Sequence, residues 1–184
     1  QGIPPGTVAV AGYGDAVVTT EPGLVVAIAT ADCVPMVLFD VEAGVLAAVH
    51  AGWRGTAARV VDAALDALEA HGGRAGRVHA LFGPSISRDA YEVGPEVLVA
   101  LDGTRPPGAA VPGRGDRSWL DVAACNEAAL LGRGVRAERI VRPRLCTFGE
   151  RERFSSYRRD GAKAGRIFTG AVLGPRGPQP PRRS

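Results

Sequence analysis

A cysteine and a histidine border two apolar runs of the chain and are its strongest candidates for chemistry. Cys33 shortly precedes the run 35–39, and His50 directly follows the run 45–49. Both runs have the composition of buried strands, and residues 42–44 fit the connection between them. If the runs pair as a hairpin, both side chains reach one edge of a sheet. A thiolate and an imidazole placed together suit a zinc or copper ion, or a thiolate–imidazolium pair for nucleophilic attack.

An arginine close to His50 is the candidate for binding an anion. Arg54 lies in a glycine-containing segment where it has little packing role, and its guanidinium offers a fork of donors to phosphate. A helix is predicted directly after it, with Thr56 as N-cap, an apolar face from 57 to 68 and glycines 72 and 73 at its end. The free amides of its first turn would open beside the same edge.

The remaining pattern supplies the elements that must position this edge. Strands are predicted at 16–19, 24–29, 78–82, 140–142 and 166–173, the second of them as a buried strand. Helices are predicted at 95–101, which begins with a proline, and from the N-cap Asp121 to about residue 131. Segment 102–117 is rich in Gly, Pro and Arg and predicts a surface loop, and 174–184 predicts a disordered tail.

Composition limits the class of protein. The chain has 184 residues, 46% of them hydrophobic and 22% charged, as in an ordinary soluble globular domain. Three cysteines without regular spacing argue against a disulfide framework and favour a reducing compartment, so we expect a cytoplasmic protein without a membrane span. The arginines are scattered, which argues against nucleic acid as a partner.

Five ordered motifs are similar to those of the laccase-domain family, whose members are called polyphenol oxidases, purine nucleoside phosphorylases of the YfiH type, or peptidoglycan editing factors. The resemblance extends from about residue 15 to 173. It is carried by TADCVPMVLFD, AAVHAGWRG, FGPSISRDAYEVG, LDVAACNEAAL and FSSYRRDG. It implies an α+β fold in one domain over 1–173, with a mixed sheet flanked by helices and a relation to bacterial toxin deamidases that use a Cys–His pair.

The resemblance also implies a metal site, usually of zinc, made by two histidines and a cysteine. Cys33 matches the cysteine and His50 the second histidine, whereas the first histidine would fall just before Gln1. We therefore expect either a chain that lacks its amino-terminal segment or a protein that has lost a complete site. His71, beside Gly72, and His79, within a strand, are interpreted as structural residues.

The activities implied by the resemblance are phosphorolysis of adenosine, inosine and methylthioadenosine, deamination of adenosine, and removal of wrongly built cell-wall precursors. For proton transfer the candidate carboxylates are Asp32 and Glu92. Arg54 is the candidate for phosphate, as a binding and catalytic residue.

Other site candidates have a structural alternative. Tyr157, Arg158 and Arg159 are candidates for a second wall of the phosphate site or for a surface loop. Trp53 and Tyr91 are candidates for stacking on a base or for packing in the core. Cys125 is interpreted as a buried packing residue. Cys146 is a candidate for a further reactive thiol near the site or for a buried residue at the end of a strand, and we favour the second interpretation.

The number of histidines argues against one of the activities named for the family, multicopper oxidation. Multicopper oxidation needs many histidines to hold several copper ions, and the chain has three. The resemblance thus implies a zinc-dependent enzyme, with copper as the other metal, that takes a purine nucleoside and phosphate. A cysteine hydrolase with Cys33 as nucleophile and His50 as base, acting on an amide, stays open, as does a non-catalytic partner protein.

Overall fold

The computed structural model describes Gly12 and residues 14–175 of the chain. Within these residues lie ten strands and five α-helices, joined by turns and short 3-10 segments. The strands are β1 (Ala16–Thr19), β2 (Val25–Thr30), β3 (Val34–Asp40), β4 (Val45–Ala51), β5 (His79–Phe82), β6 (Glu92–Val93), β7 (Ala110–Pro112), β8 (Ser118–Leu120), β9 (Ile140–Val141) and β10 (Ile167–Val172). The helices are α1 (Trp53–Ala57), α2 (Val60–Ala70), α3 (Pro95–Ala100), α4 (Val122–Gly132) and α5 (Tyr157–Asp160).

The predicted hairpin of β3 and β4 forms the centre of a five-stranded sheet. The two strands are antiparallel, from Val34 opposite Ala51 to Asp40 opposite Val45. The strand order is β1-β4-β3-β5-β9, and only the β5–β9 pair among these is parallel. This mixed sheet with helices packed on it confirms the expected α+β class.

One face of the sheet packs against α2 and α4. Met36 and Leu38 of β3 point to this side and are fully buried, together with Leu65 of α2 and Leu130 of α4. Burial of each such side chain contributes about 1.5–3 kcal/mol, so this layer holds the hairpin firmly in place.

The opposite face is covered by a two-stranded antiparallel ribbon of β2 and β10. Val37 and Leu46 of the sheet pack against Val26 of the ribbon. The prediction of a buried strand here is confirmed only in part, because the residues of β2 alternate between the sheet and solvent, and Val25 is 65% exposed. A ribbon that covers a sheet from one side buries only every second residue.

The helix predicted after His50 is divided into two. α1 ends at Ala57, Arg59 adopts a left-handed backbone with φ of 60°, and α2 follows. Thr56 is therefore not an N-cap: it lies inside α1, and its hydroxyl donates to Gly52 O at 2.9 Å. The element beside His50 is only five residues long, so its dipole contributes less than the predicted long helix would.

The second half of the chain follows its prediction more closely. α3 begins with Pro95, and α4 begins after Asp121, whose side chain accepts a hydrogen bond from Ala124 N–H at 2.8 Å. The segment 102–117 is not entirely loop, because it contains β7, which pairs with β8 in a three-stranded sheet completed by β6.

The predicted tail falls on residues outside those described, except for Gly174 and Pro175, and so does most of the segment before β1. Among the described helices, none has the length and hydropathy required to cross a membrane.

Candidate active site

The register of β3 and β4 brings Cys33 and His50 to one edge of the sheet. Because Val34 is paired with Ala51, Cys33 faces Gly52, and His50 lies on the same face two positions earlier. A Cβ atom at position 52 would lie 3.0 Å from Cys33 Sγ, so glycine there leaves space for the thiol. The two side chains therefore meet as expected, whereas metal binding by them stays a prediction.

Asp15 fixes His50 from the amino-terminal side. Its Oδ1 lies 2.8 Å from His50 Nδ1, and its backbone oxygen accepts from His50 N–H at 2.7 Å. The hydrogen bond with Cys33 raises the pKa of His50 to about 9, against the effect of burial and with a further contribution from Asp15. Since Asp15 occupies Nδ1, Nε2 remains for a ligand, and the side chain is 32% exposed to solvent.

Trp53 and Arg54 follow directly, in the first turn of α1. Trp53 is partly buried against the main core, and the guanidinium carbon of Arg54 lies 4.2 Å from its ring centroid. Arg54 itself is exposed. It thus lies at the mouth of the site with its donors accessible, while one face of the Trp53 ring is already covered.

Tyr91 lies among the charged groups of this edge. The guanidinium carbon of Arg158 is 4.8 Å from the Tyr91 ring centroid. Burial raises the pKa of Tyr91; the charges of Arg158 and Arg54 oppose this, and those of Cys33 and Asp32 add to it. Tyr91 and Arg158 thus form a cation–π pair at this edge.

Asp32 holds the carboxy-terminal part of the chain beside Cys33. Its side chain is buried, with Oδ1 accepting from the Thr147 hydroxyl at 2.6 Å. Oδ2 accepts from the Ser156 hydroxyl at 3.1 Å and from Arg158 N–H at 2.6 Å. Both oxygens are engaged, so the contacts favour a positioning role, and the predicted proton shuttle has no support in them.

Glu92 and the residues of the FSSYRRDG motif include both structurally engaged side chains and remaining candidates for binding. Glu92 Oε1 accepts from Arg114 N–H at 3.1 Å, which anchors a turn of the three-stranded sheet. Tyr157 is 57% exposed, and Arg158 donates to Glu92 O at 2.9 Å. Arg159 donates to backbone carbonyls of the preceding loop and is structural. Binding by Tyr157 and Arg158 and catalysis by Glu92 stay predictions.

The two other cysteines differ from one another. Cys125 is 1% exposed in α4, and burial raises its pKa to about 11, which confirms a packing role. Cys146 is only partly buried, contrary to expectation. Burial alone would raise its pKa, but donors to Sγ, foremost the Ser87 hydroxyl at 3.1 Å, bring the pKa below its ordinary value.

The other two histidines lie at the opposite end of the sheet. His71 is the C-cap of α2, and His79 stacks on Phe39 with ring centroids 5.1 Å apart. Both are structural, as predicted. Since the chain has three histidines, His50 is the only one at the site.

The metal-coordinating atoms at this edge are of the kinds that zinc prefers, but there are fewer of them than a catalytic zinc site has. Cys33 and His50 offer sulfur and nitrogen, and the Asp15 carboxylate behind His50 is a typical outer partner of a metal-bound imidazole. Catalytic zinc sites have three protein ligands, and the residues that the structure describes contain no group of three or more His, Cys, Asp and Glu that could hold a metal ion.

Asp15 is the site residue that the sequence did not reveal. It stands outside the two apolar runs, and its approach to His50 depends on the pairing of β1 with β4. The signal available was its place immediately before a predicted strand, which is too common a position to be informative.

The chain matches a family model described as "Multi-copper polyphenol oxidoreductase laccase" over residues 6–174. A relative from an unknown prokaryotic organism named "Adenosine deaminase RL5" is 41% identical over 160 residues, which are 85% of this chain and 61% of the relative. A "Purine nucleoside phosphorylase" of Deinococcus radiodurans is 42% identical over 161 residues, or 88% of this chain and 61% of the relative.

Solved structures give the same result for the fold. YlmD from Geobacillus stearothermophilus superimposes with a TM-score of 0.83 at 29% identity, covering 88% of this chain and 61% of its own. A YfiH protein from Bacillus licheniformis gives 0.82 at 29% identity, with coverage of 86% and 61%. The chain thus spans about three fifths of the length of these relatives.

Proposed function

The chain belongs to the family whose model is described as multi-copper polyphenol oxidoreductase laccase, and from this premise we propose that it acts in zinc-dependent phosphorolysis of purine nucleosides. Adenosine, inosine and methylthioadenosine are the proposed substrates. Relatives named purine nucleoside phosphorylase at about 40% identity support this choice.

The observation that carries the proposal is the convergence of two kinds of group at one solvent-reachable edge. Cys33 and His50 are suited to a metal, and Arg54 and Arg158 provide positive charge around Tyr91. A reaction of phosphate with a neutral nucleoside needs both a place for the anion and a place for the sugar and base.

In the proposed reaction a phosphate oxygen attacks the anomeric carbon of ribose. The bond from that carbon to the purine nitrogen breaks, and the base leaves with the bonding electrons and takes up a proton. The products are the free base and ribose 1-phosphate.

Arg54 orients the phosphate with its exposed guanidinium, because planar donors match the oxygens of the anion. Arg158 is held by its backbone on Asp32 and lies over Tyr91, where it adds positive charge to the same region. Tyr91 keeps its proton at neutral pH, because burial raises its pKa, and is the neutral donor of the group. Trp53 and Tyr157 are the aromatic side chains nearest in sequence to the two arginines and are proposed to contact the base.

Cys33 and His50 are proposed to hold the zinc ion, which would supply Lewis-acid polarisation when bound. Asp15 keeps His50 oriented with Nε2 directed away from itself. Since two ligands bind zinc weakly, the proposal requires a third ligand from outside the described residues.

The test is the phosphate requirement of the zinc-loaded protein. Adenosine is incubated with and without phosphate, and adenine, ribose 1-phosphate and inosine are separated by chromatography. We expect adenine and ribose 1-phosphate in equal amounts, only when phosphate is present. Arg54→Ala should raise the KM for phosphate about tenfold while zinc content is unchanged, and Arg117→Ala, another exposed arginine, is the matched control. Nucleoside cleavage that does not depend on phosphate would contradict the proposal.

Two other candidates have a specific observation in their favour. Hydrolytic deamination of adenosine is favoured by the relative named adenosine deaminase, and in the same assay it yields inosine without phosphate. A cysteine hydrolase is favoured by the placement of Cys33 near His50, whose pKa the thiol raises. Such an enzyme would form an acyl adduct on Cys33 in metal-free protein, which mass spectrometry detects.

A further inference from the structure

A polar cavity of about 320 Å³ lies behind α1, away from Cys33 and His50. It is bounded by α1, α2, α4 and the loop after α3. The polar side chains that line it are Thr56, Arg59, Asp62, Thr104, Arg105, Asn126 and Arg133, with the thiol of Cys125.

Arg105 has a polar atom that is buried without a partner. Its Nε has no hydrogen bond within the part of the chain that the structure describes. The backbone holds the residue in this position, because its N–H donates to Leu101 O at 3.0 Å and a proline follows. A buried donor on a charged group without a partner is costly, and a bound ion or water is the usual explanation.

The other arginines of the cavity are neutralised by carboxylates. Asp62 lies 2.8 Å from Arg59 Nε and 3.4 Å from an Arg133 terminal nitrogen. Arg133 also reaches Asp66 at 2.7 Å. None of the ion pairs among residues 14–175 includes Arg105.

The cysteine in the cavity does not supply the missing negative charge. Burial raises the pKa of Cys125 to about 11, so its thiol is neutral at physiological pH. Arg105 and Cys125 both line the cavity, and the positive charge of Arg105 opposes the rise in the pKa of the thiol. One positive charge thus remains uncompensated at the cavity.

The wall of the cavity is connected to the candidate active site. Asn126 is 1% exposed, and its amide donates to the Thr56 hydroxyl at 2.9 Å and to Val122 O at 2.8 Å. The Thr56 hydroxyl donates in turn to Gly52 O, and Gly52 borders the Cys33 thiol. These contacts hold α1 in place between the two sites.

We infer that this cavity is a second anion site, which binds a small oxyanion of the phosphate type through Arg105. The site is separate from the phosphate position proposed at Arg54, since Arg54 does not line the cavity. The inference does not depend on the proposed function, because it concerns binding alone.

The test is calorimetric titration of inorganic phosphate into the full chain that carries Arg54→Gln, which removes the proposed binding group at the active site. We expect this protein to bind phosphate and the added substitution Arg105→Gln to weaken the affinity about tenfold, the effect of losing a charge-assisted hydrogen bond. Arg117→Gln in the same background removes an exposed arginine with an identical change of charge and should leave the affinity unchanged.

Phosphate binding that is equal with and without Arg105→Gln, or no binding in the Arg54→Gln protein, would overturn the inference. Circular dichroism checks that each variant is folded. If Arg105→Gln does not fold, Arg105→Lys replaces it: lysine keeps the charge but lacks Nε, so weaker binding supports the site and equal affinity refutes it.

Discussion

The β3–β4 hairpin has two ends that use similar residues in opposite ways. At the turn, the buried Asp40 accepts from Arg77 Nε at 2.8 Å and from the backbone amides of Glu42, Ala43 and Arg74. At the other end, Asp15 has one side-chain partner, His50, and both are partly exposed. Buried polar groups whose hydrogen-bonding capacity is fully used within the protein stabilise the fold. Polar groups at the surface that still have unused hydrogen-bonding or coordinating atoms are available to a ligand.

The difference between the two ends lies in the number of partners. The Asp40 carboxylate is 1% exposed and has several donors, so it has no capacity left for chemistry. Cys33, His50 and Arg54 each retain atoms that solvent reaches. Substitutions at the two ends should therefore separate loss of function from loss of stability.

The largest effect is expected from Cys33→Ala. Loss of this ligand should lower zinc affinity by about a hundredfold or more and abolish the zinc-dependent activity, while the unfolding transition stays nearly unchanged. Zinc content after gel filtration measures the first effect, and thermal unfolding of the metal-free protein measures the second. Cys146→Ala, another partly exposed thiol, should retain zinc. Full zinc occupancy in the Cys33 variant would remove the proposed metal site.

At the opposite end, Asp40→Ala should destabilise the fold without changing the zinc content. It leaves Arg77 and three backbone donors without their acceptor, at a cost of about 3 kcal/mol. Urea unfolding measures this value. The matched control is Glu42→Ala, which removes the exposed partner of the same arginine and should cost about 0–1 kcal/mol. Equal costs for the two variants would show that burial of Asp40 does not matter.

A smaller effect is expected from Asp15→Asn, which keeps the shape of the side chain but removes its charge. His50 is then held less firmly, and zinc affinity should fall about tenfold, as for other outer partners of metal-bound imidazoles. Competition with a chelator of known affinity measures the change. An unchanged affinity would mean that Asp15 serves only to anchor β1.

The smallest effect is expected in the pH dependence of the stability that Asp40 contributes at the hairpin turn. Burial alone would raise the pKa of Asp40, but the bonds from Arg77 and the backbone amides lower it below the ordinary 3.8. Its stabilising contribution is therefore complete above that pH and is lost as the pH falls through the lowered value. The difference in unfolding free energy between the wild type and Asp40→Asn should shrink from pH 7 to pH 3, and a constant difference would contradict the lowered pKa.

Both strands of the hairpin and their connection were predicted from the sequence. Two uninterrupted apolar runs joined by a short connection are compatible with few other structures. It also located Cys33, His50 and Arg54 on that hairpin and after it. It missed the helix break at Arg59, since the apolar spacing continues from Ala57 to Val60 and Val61 as in one helix. Such a break is decided by tertiary packing, which local periodicity does not contain.

The same limit applies to the surroundings of Asp32. From its position beside Cys33 it was a candidate for proton transfer, whereas its partners Thr147, Ser156 and Arg158 lie in the distant carboxy-terminal segment. Asp15 was missed for a similar reason, because β1 meets β4 only in the folded sheet. Contacts between distant segments decide which of the polar residues remain free to act.

The local nature of the hairpin also has a consequence for biogenesis. Cys33 and His50 belong to one continuous supersecondary unit, which closes quickly because little chain separates its strands. The residues that bind Asp32 are synthesised more than a hundred positions later. A chain emerging from the ribosome therefore exposes the thiol–imidazole pair before the residues that complete the surrounding wall.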